Sequence, residues 1–355
     1  MSFLGRLTSS MTSYNHVVAV NGWYVSASIG INASIDVIKD WANYGLGRHI
    51  ETYAHNMEVV WEGIVNEIVI EMGDVSYTIG PLLEIENEPT IKYNEVVTGI
   101  SSETYPVPDV DSQSRYGKRI SIISEGSISD AVADSIQASR IAELKFPHRQ
   151  RQSSLGKGSS LSITLNCIGY SGLTNYPYED LVDGDIGCSD KLIDVFRFAP
   201  DSIFNIDEGE FEFNDIQVAE LEDKDRLASA IISEIIAYGS LDYRRMIWGV
   251  GSGRVPFYKS IPSMDYVEYH AKVFNSQISI REQPYPWMVK PGKFIRYDDA
   301  SAIFEVLPGS TADEDPGREF IESVTYTAPW GLDFGEGYAG VLNQQLASMG
   351  LLGGE

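Results

Sequence analysis

The chain has 355 residues, which at roughly 100–200 residues per domain suggests two or three domains. It contains 26 Lys and Arg residues and 51 Asp and Glu residues, so the formal net charge is −25. Such a charge repels DNA, RNA and anionic membrane surfaces, and we expect no sequence-specific nucleic-acid binding.

The two cysteines, Cys167 and Cys188, are too few for a disulfide framework, so we expect synthesis in a reducing cytoplasm. Residues Met1 to Met11 lack the basic region and apolar stretch of a signal peptide. No apolar run approaches the ~20 residues that a membrane span needs. We therefore expect no membrane span, while a hydrophobic content of 43% is enough to form a core.

The first predicted domain, residues 1–100, is rich in short strands. Asn21-Gly22 is a good hairpin turn because both positions tolerate positive φ. A short helix within Ala33–Tyr44 interrupts the strands, with Ser34 as its N-cap. The predicted strands are Val17–Val20, Trp23–Ile29, Ile50–Tyr53, Val59–Val65, Ile68–Met72 and Val75–Ile79.

Residues 101–165 form a predicted strand–helix segment. Thr98–Ser114 contains two prolines and many polar residues, and it is typical of a loop or domain link. A strand is predicted over Tyr116–Ile123 and a helix over Ser127–Leu144, with Val132 and Ile136 on its apolar face. The strand Leu161–Tyr170 follows a basic connection.

Residues 166–310 are predicted to form an α+β domain, and residues 311–355 a C-terminal extension. Helices are predicted over Ser189–Ala199, with Ser189 as the cap, and over Lys224–Tyr238. The predicted strands are Arg244–Val250, Pro256–Ser260, Val267–Phe274, Gln277–Arg281, Phe294–Tyr297, Ile303–Val306 and Ser323–Thr327. A short helix is predicted over Asn343–Met349. The fold class is therefore α+β and β-rich.

Candidate metal ligands are few. His49 and His55 are the only histidines close in sequence, and no histidine pair has the H-E-x-x-H spacing of a zinc helix. Isolated histidines are far more common than ligands, so we interpret both as ordinary residues. Asp183-Gly184-Asp185 begins like a calcium loop, but Gly187 and Cys188 occupy later positions that need a ligand and a glycine.

Candidate catalytic and nucleotide-binding motifs are each incomplete. Ser171 lacks the second glycine of a nucleophile elbow, because Leu173 stands there. Gly156–Ser159 lacks the first glycine of a phosphate loop. Gly249–Gly253 follows a strand, but no helix pattern follows it, so we predict a hairpin connection. We therefore expect no catalytic residue, no cofactor and no metal ligand.

Three groups of segments, taken in order, carry a family resemblance. The first runs from Ser26 to Ile50 and continues through Val60-Trp61-Glu62-Gly63-Ile64-Val65 to Gly80-Pro81. The second contains Tyr116-Gly117, the helix after Ser129 and Phe146-Pro147. The third contains Cys167–Tyr170, two helices and the strand Met246–Val250. Over roughly residues 15–300, this order resembles the hub and baseplate proteins of bacteriophage tails.

The resemblance implies small β-barrel-like and mixed sheet-plus-helix domains, as in phage tail hubs. It implies a structural protein of the virion tail that guides assembly and DNA passage at the distal end and is not an enzyme. The implied partners are other tail proteins, namely the distal tail protein, the tape measure and the tail tip. A homo-oligomeric ring is also implied, with a trimer as one option, and the negative charge suits a lumen through which DNA slides.

Two alternatives come from individual residues. A receptor- or carbohydrate-binding tail module would use exposed aromatic side chains such as Tyr176 and Trp287 for stacking. A hydrolase is less favoured, and it would need paired carboxylates in a cleft or a metal held among His49 and His55.

Overall fold

The computed structural model describes residues 11–19, 21–53, 59–153, 161–178, 186–218, 226–242 and 244–260. It also describes the backbone of three later strands, Ser279–Gln283, Ile303–Pro308 and Ile321–Thr327. The predicted strands Val267–Phe274 and Phe294–Tyr297 and the helix Asn343–Met349 lie outside these residues.

Within the described residues, the α-helices are α1 Ile35–Tyr44, α2 Val110–Tyr116, α3 Asp130–Leu144, α4 Cys188–Arg197 and α5 Ala228–Ala237. The strands of the first half are β1 Met11–Ala19, β2 Gly22–Asn32, β3 His49–Tyr53, β4 Val59–Met72, β5 Val75–Ile79, β6 Glu88–Glu95, β7 Ser101–Glu103, β8 Ile120–Ile128 and β9 Arg149–Ser153. The later strands are β10 Leu161–Gly169, β11 Ile186–Gly187, β12 Glu210–Phe211, β13 Gln217–Val218, β14 Met246–Val250, β15 Pro256–Ser260, β16 Ser279–Gln283, β17 Ile303–Pro308 and β18 Ile321–Thr327.

One large sheet contains most of the strands, in the order β12-β15-β14-β2-β10-β4-β3-β16. Two long strands organise it. β2 pairs with β10 along one edge and with β1 along the other, and β4 pairs with β10, β3 and β5. β10 alternates between buried and partly exposed side chains, as a strand covered more on one face than on the other does. The fold is therefore α+β with the sheet dominant, as predicted.

The sheet does not form the predicted small barrel. Among the described strands, the hydrogen-bonded order does not return to its starting strand. The first half of β4 pairs with β3 and its second half with β5. Along this one edge of β4 the sheet therefore divides into two parts, one continuing through β3 and the other through β5. The other edge of β4 is occupied by β10, which comes from beyond residue 100. Residues 1–100 and the later part of the chain thus share one sheet, and the four-part domain division remains a prediction.

Strand β4 is longer than predicted because it continues through Asn66 and Glu67. Glu67 stays in register with Asn166, and Val65 pairs with Cys167, so Asn66 is the extra residue of a β-bulge. Its side-chain oxygen accepts a hydrogen bond from the backbone N–H of Leu83 at 3.2 Å. The two predicted strands Val59–Val65 and Ile68–Met72 are therefore one strand with a bulge at Asn66.

A small three-stranded sheet, β7-β6-β8, forms with α3 a module that we call the insert module. Its apolar centre consists of Ile91, Tyr93 and Ala133. The loop predicted over Thr98–Ser114 is wrong in part, because this range contains β7 and the start of α2. The Asp109 carboxylate accepts the N–H of Ser112 at 2.9 Å, and this cap starts a helix where the composition indicates a loop.

The four predicted helices that fall within the described residues are confirmed, each shorter than predicted, but two details are wrong. In α3 the buried side chains are Ala133 and Gln137, while Val132 faces solvent. The Gln137 amide donates to the carbonyls of Pro89 and Tyr105, so a polar residue can be buried on that face. Helix α4 begins one residue before Ser189, with Gly187 as its N-cap. Helix α1 has Ser34 at its N-cap without a side-chain hydrogen bond.

One continuous hydrophobic core extends from Tyr14 on β1 to Tyr258 on β15. It includes the buried faces of α4 and α5 as well as β2, β4 and β10. The hairpin turn after β1 places positive φ on Gly22 and on Trp23, whose φ is 66°. Trp23 packs edge-on against Phe257 at 5.7 Å between ring centroids, so the turn is tied to the far part of the chain.

Candidate functional site

Three chemically active side chains meet where β3 and β4 pair. His49 and Glu51 are two residues apart on β3, so they project from the same face of the sheet. Glu62 on β4 pairs directly with Glu51. We call His49, Glu51 and Glu62 the His–Glu cluster. Its ligand atoms all lie within 4.8 Å of one another.

Distances within the cluster are those of direct contact. His49 Nε2 lies 3.0 Å from Glu51 Oε1 and 3.8 Å from Glu62 Oε1. His49 Nδ1 lies 2.5 Å from the hydroxyl of Tyr170, in the 3₁₀ turn that follows β10. Glu62 Oε2 accepts the backbone N–H of Gly253, between β14 and β15, at 2.6 Å. Four segments that are distant in sequence therefore hold the cluster in place.

Burial controls the electrostatics of this cluster. Glu62 is 2% exposed and His49 is 4% exposed. Loss of solvent raises the pKa of Glu62, while the charge of His49 and the N–H of Gly253 oppose that rise. Two carboxylates directly opposite each other on paired strands repel unless a positive charge lies between them. The arrangement can hold a proton on His49 or a cation between the three side chains.

The sequence analysis considered His49 only together with His55, interpreted both as ordinary residues and did not consider Glu51 or Glu62. His55 lies outside the described residues, so its pairing with His49 is not tested. The useful signal was His-x-Glu on a strand, because alternation places the two side chains on one face. Glu62 could be added only once the register of β3 against β4 was known.

The candidate nucleophiles have structural roles. Ser171 donates from its hydroxyl to the carbonyl of Tyr24 at 3.1 Å. Cys167 and Cys188 are buried free thiols, and burial raises the pKa of both, to about 11 for Cys188. The thiolate is the reactive form, so neither cysteine is suited to nucleophilic catalysis at neutral pH.

Of the glycine-rich and acidic motifs, one lies within the described residues and two lie outside them. Gly249–Gly253 connects the antiparallel strands β14 and β15, which confirms the predicted hairpin connection. Gly156–Ser159 and Asp183–Asp185 lie outside the described residues, and no statement about their sites follows.

The aromatic residues after β10 belong to the core. Tyr176 and Tyr178 are buried, and their hydroxyls donate to the Val195 carbonyl and the Asp194 carboxylate at 2.5 Å. Sugar stacking needs an exposed ring face, so Tyr176 does not support the alternative of a carbohydrate-binding module. Trp287 lies outside the described residues.

Six large apolar side chains are exposed within residues 96–110, which border β6 and β7 of the insert module. Val97 is 85% exposed, Tyr105 is 86% exposed and Val110 is 72% exposed, and Val96, Ile100 and Val107 are also exposed. These residues lie in the turn after β6 and in the segment from β7 to α2. We call the six residues the β7-edge surface, because β7 is the outer strand of the order β7-β6-β8.

A cavity of about 370 Å³ lies between α1 and α2. Two arginines line it, and each donates to a carbonyl of the last turn of α1. Arg115 Nη2 lies 2.9 Å from the oxygen of Asn43, and Arg149 Nη2 lies 3.4 Å from that of Ala42. Positive groups are favourable at a helix C-terminus, so Arg115 on α2 and Arg149 on β9 both stabilise the end of α1.

Comparison with protein-family models, curated proteins and solved structures finds no match for this chain. Within the described residues, no helix is both long enough and apolar enough to cross a membrane.

Proposed function

We propose that this chain is a structural protein of a bacteriophage tail, in the hub or baseplate at its distal end. The single observation that carries the proposal beyond the sequence resemblance is the β7-edge surface. Several large apolar side chains exposed within one short segment, residues 96–110, are typical of a region that another subunit covers.

The geometry of this surface suits contact between subunits. β7 has only three residues, so the described backbone offers a short outer edge to a partner. Val110 of this surface lies on α2, and Arg115 of the same helix donates to the Asn43 carbonyl at the end of α1. A ring uses two different surfaces of each subunit, and the β7-edge surface would supply one of them.

The charge supports the same function. With a net charge of −25, the chain would form a ring whose lumen repels DNA instead of binding it. A DNA-binding subunit would need the opposite balance, because phosphate contacts are made by Lys and Arg.

Subunit association tests the use of the β7-edge surface. We expect light scattering of the full-length protein to detect a closed oligomer. The double substitution V97D/Y105S should weaken association about tenfold or more, since central apolar contacts dominate interface energies. Phe213→Ser is the matched control, because Phe213 is 75% exposed but lies outside this surface. A monomer at all concentrations, or equal effects of the two variants, would contradict a ring built through this surface.

The position in the virion is tested separately. Gold-labelled antibodies against the purified chain should bind at the distal end of the tail in negatively stained virions. Label at the head or neck would contradict the proposed location. Glycan arrays address the alternative of a receptor-binding module, and sugar binding by the isolated chain would favour that alternative.

A further inference from the structure

We propose that His49, Glu51 and Glu62 bind one divalent cation of the zinc class, which stabilises the junction of β3 and β4. The proposal does not depend on the assignment to a phage tail. It replaces the expectation from the sequence that the chain has no metal ligand.

The spacing of the ligand atoms fits a zinc ion. Zinc–nitrogen and zinc–oxygen bonds of about 2.0–2.2 Å give about 3.4 Å between neighbouring ligands of a tetrahedral ion. The distances from His49 Nε2 to the Glu51 and Glu62 oxygens are 3.0 and 3.8 Å, one on either side of that value. The spacing between the two carboxylate oxygens is at most 4.8 Å, which exceeds the tetrahedral value by at most about 1.4 Å.

The imidazole ring is already oriented for coordination. When Nδ1 carries the proton, it donates to the hydroxyl of Tyr170, and Nε2 then presents its lone pair to the two carboxylates. Histidines that bind metals usually use their second nitrogen in this way. Tyr170 is buried, so the orientation is maintained by packing as well as by the hydrogen bond.

The carboxylate of Glu62 is oriented as well. Its Oε2 accepts the N–H of Gly253, which leaves Oε1 directed toward His49. Glu51 lies opposite it in the β3–β4 register. The pair carries a formal charge of −2 in a site of low exposure, and a divalent cation would offset that charge with three ligands of the chemical types that zinc accepts.

The cation would have a structural role. Its ligands lie on β3 and β4, and their hydrogen-bond partners lie after β10 and between β14 and β15. Binding in the folded state alone therefore stabilises the association of four segments. A three-ligand zinc site has a fourth position, which would be taken by water.

Titration calorimetry with Zn²⁺ on the full-length, chelator-treated protein is the primary test. We expect a one-to-one site, accompanied by a rise in melting temperature that a chelator reverses. His49→Gln and Glu62→Gln should each abolish both effects. His148→Gln is the matched control, since it removes a histidine outside the cluster and should bind Zn²⁺ like the wild type.

Two further variants keep the test decisive if Glu62→Gln does not fold. Glu51→Gln changes the more exposed carboxylate of the cluster and should also lose the site. Tyr170→Phe keeps the ring but removes the hydroxyl, and we expect about 10–100-fold weaker Zn²⁺ binding, the usual effect of losing a ligand's hydrogen-bond partner. Its metal-free circular dichroism spectrum should match that of the wild type, which separates positioning of His49 from loss of folding.

The cobalt form provides a spectroscopic readout. Co²⁺ in the same site should give visible absorption bands of a four-coordinate ion, and these should be absent in His49→Gln. The proposal is overturned if the wild type binds no Zn²⁺, or if binding is unchanged in both His49→Gln and Glu51→Gln.

Discussion

At the residue scale, buried polar side chains connect segments of the chain by hydrogen bonds. The amide of Asn87 donates to Ser112 and to the carbonyl of Gly117, and its oxygen accepts the N–H of Arg119. The amide of Asn214 donates to the carbonyl of Gly239 and to the hydroxyl of Tyr258. Both of these buried amides have partners, and an unsatisfied one would cost about 1–3 kcal/mol.

Asp109 gives a pH-dependent contribution to stability. The N–H of Ser112 and then Lys145 lower the pKa of its carboxyl from the usual 3.8. A lowered pKa in the folded state means that the stabilisation is present above pH 3.8 and is lost as the pH falls through the folded value. We expect Asp109→Ala to lose about 1 kcal/mol of unfolding free energy at pH 7 and less at about pH 3.

Urea unfolding of the variants at both pH values measures this effect. Asp109→Asn is the control, because asparagine is also a good N-cap but carries no charge, so its smaller loss reports the charge contribution alone and should disappear at low pH. An equal loss for Asp109→Ala at both pH values would assign the effect to packing instead of charge.

At the scale of elements, the long strands β2 and β4 are held together by a close approach through β10. Gly63 on β4 pairs with Gly169 on β10. A Cβ atom on Gly63 would lie 2.1 Å from the carbonyl oxygen of Ile168, and one on Gly169 would lie 1.7 Å from that of Tyr24. Both contacts are with backbone atoms, which cannot move aside as a side chain does.

Gly63→Ala should therefore destabilise the fold by about 1–3 kcal/mol or more, the range for overpacking a close contact. The control is Gly126→Ala on β8, where an added Cβ would meet no atom within 4 Å. We expect Gly126→Ala to lie within about 0.5 kcal/mol of the wild type in urea unfolding. Equal unfolding midpoints for the two variants would show that β4 and β10 can separate at no cost.

At the scale of the whole molecule, charge repulsion opposes a continuous core. The core extends from Tyr14 to Tyr258 and favours the compact state. The net charge of −25 opposes it, because the excess carboxylates repel one another. Ion pairs such as Arg140–Glu86 and Lys118–Glu88 counter this only locally. Surface pairs of this kind contribute about 0–1 kcal/mol each. Repulsion should therefore dominate the response to salt.

We expect the melting temperature to rise as NaCl is increased from about 0.01 to about 1 M, because the screening length falls from about 30 to about 3 Å. Scanning calorimetry in NaCl and in KCl separates screening from binding of a particular cation, since screening is the same for both salts. A melting temperature that falls with salt would mean that the local ion pairs outweigh the repulsion.

The sequence by itself determined the α+β class, four of the five α-helices and most strands within the described residues. These features depend on local signals, namely alternation along strands, helical spacing of apolar residues and the Asn21-Gly22 turn. The sequence also determined the formal net charge of −25, which follows from composition and does not depend on the fold. The capped helix α2 was missed because Asp109 lies in a proline-rich context that locally favours a loop.

Only the tertiary structure decided how the strands are joined and which side chains form the candidate site. The insertion of β10 between β2 and β4 pairs residues about a hundred positions apart, and no local pattern encodes that choice of partner. The same holds for the His–Glu cluster. His49 and Glu51 follow from strand alternation, but Glu62 joins them through the β3–β4 register, and Tyr170 and Gly253 join through packing. Register is set by pairing across the whole sheet, so these contacts appear only when the chain is folded.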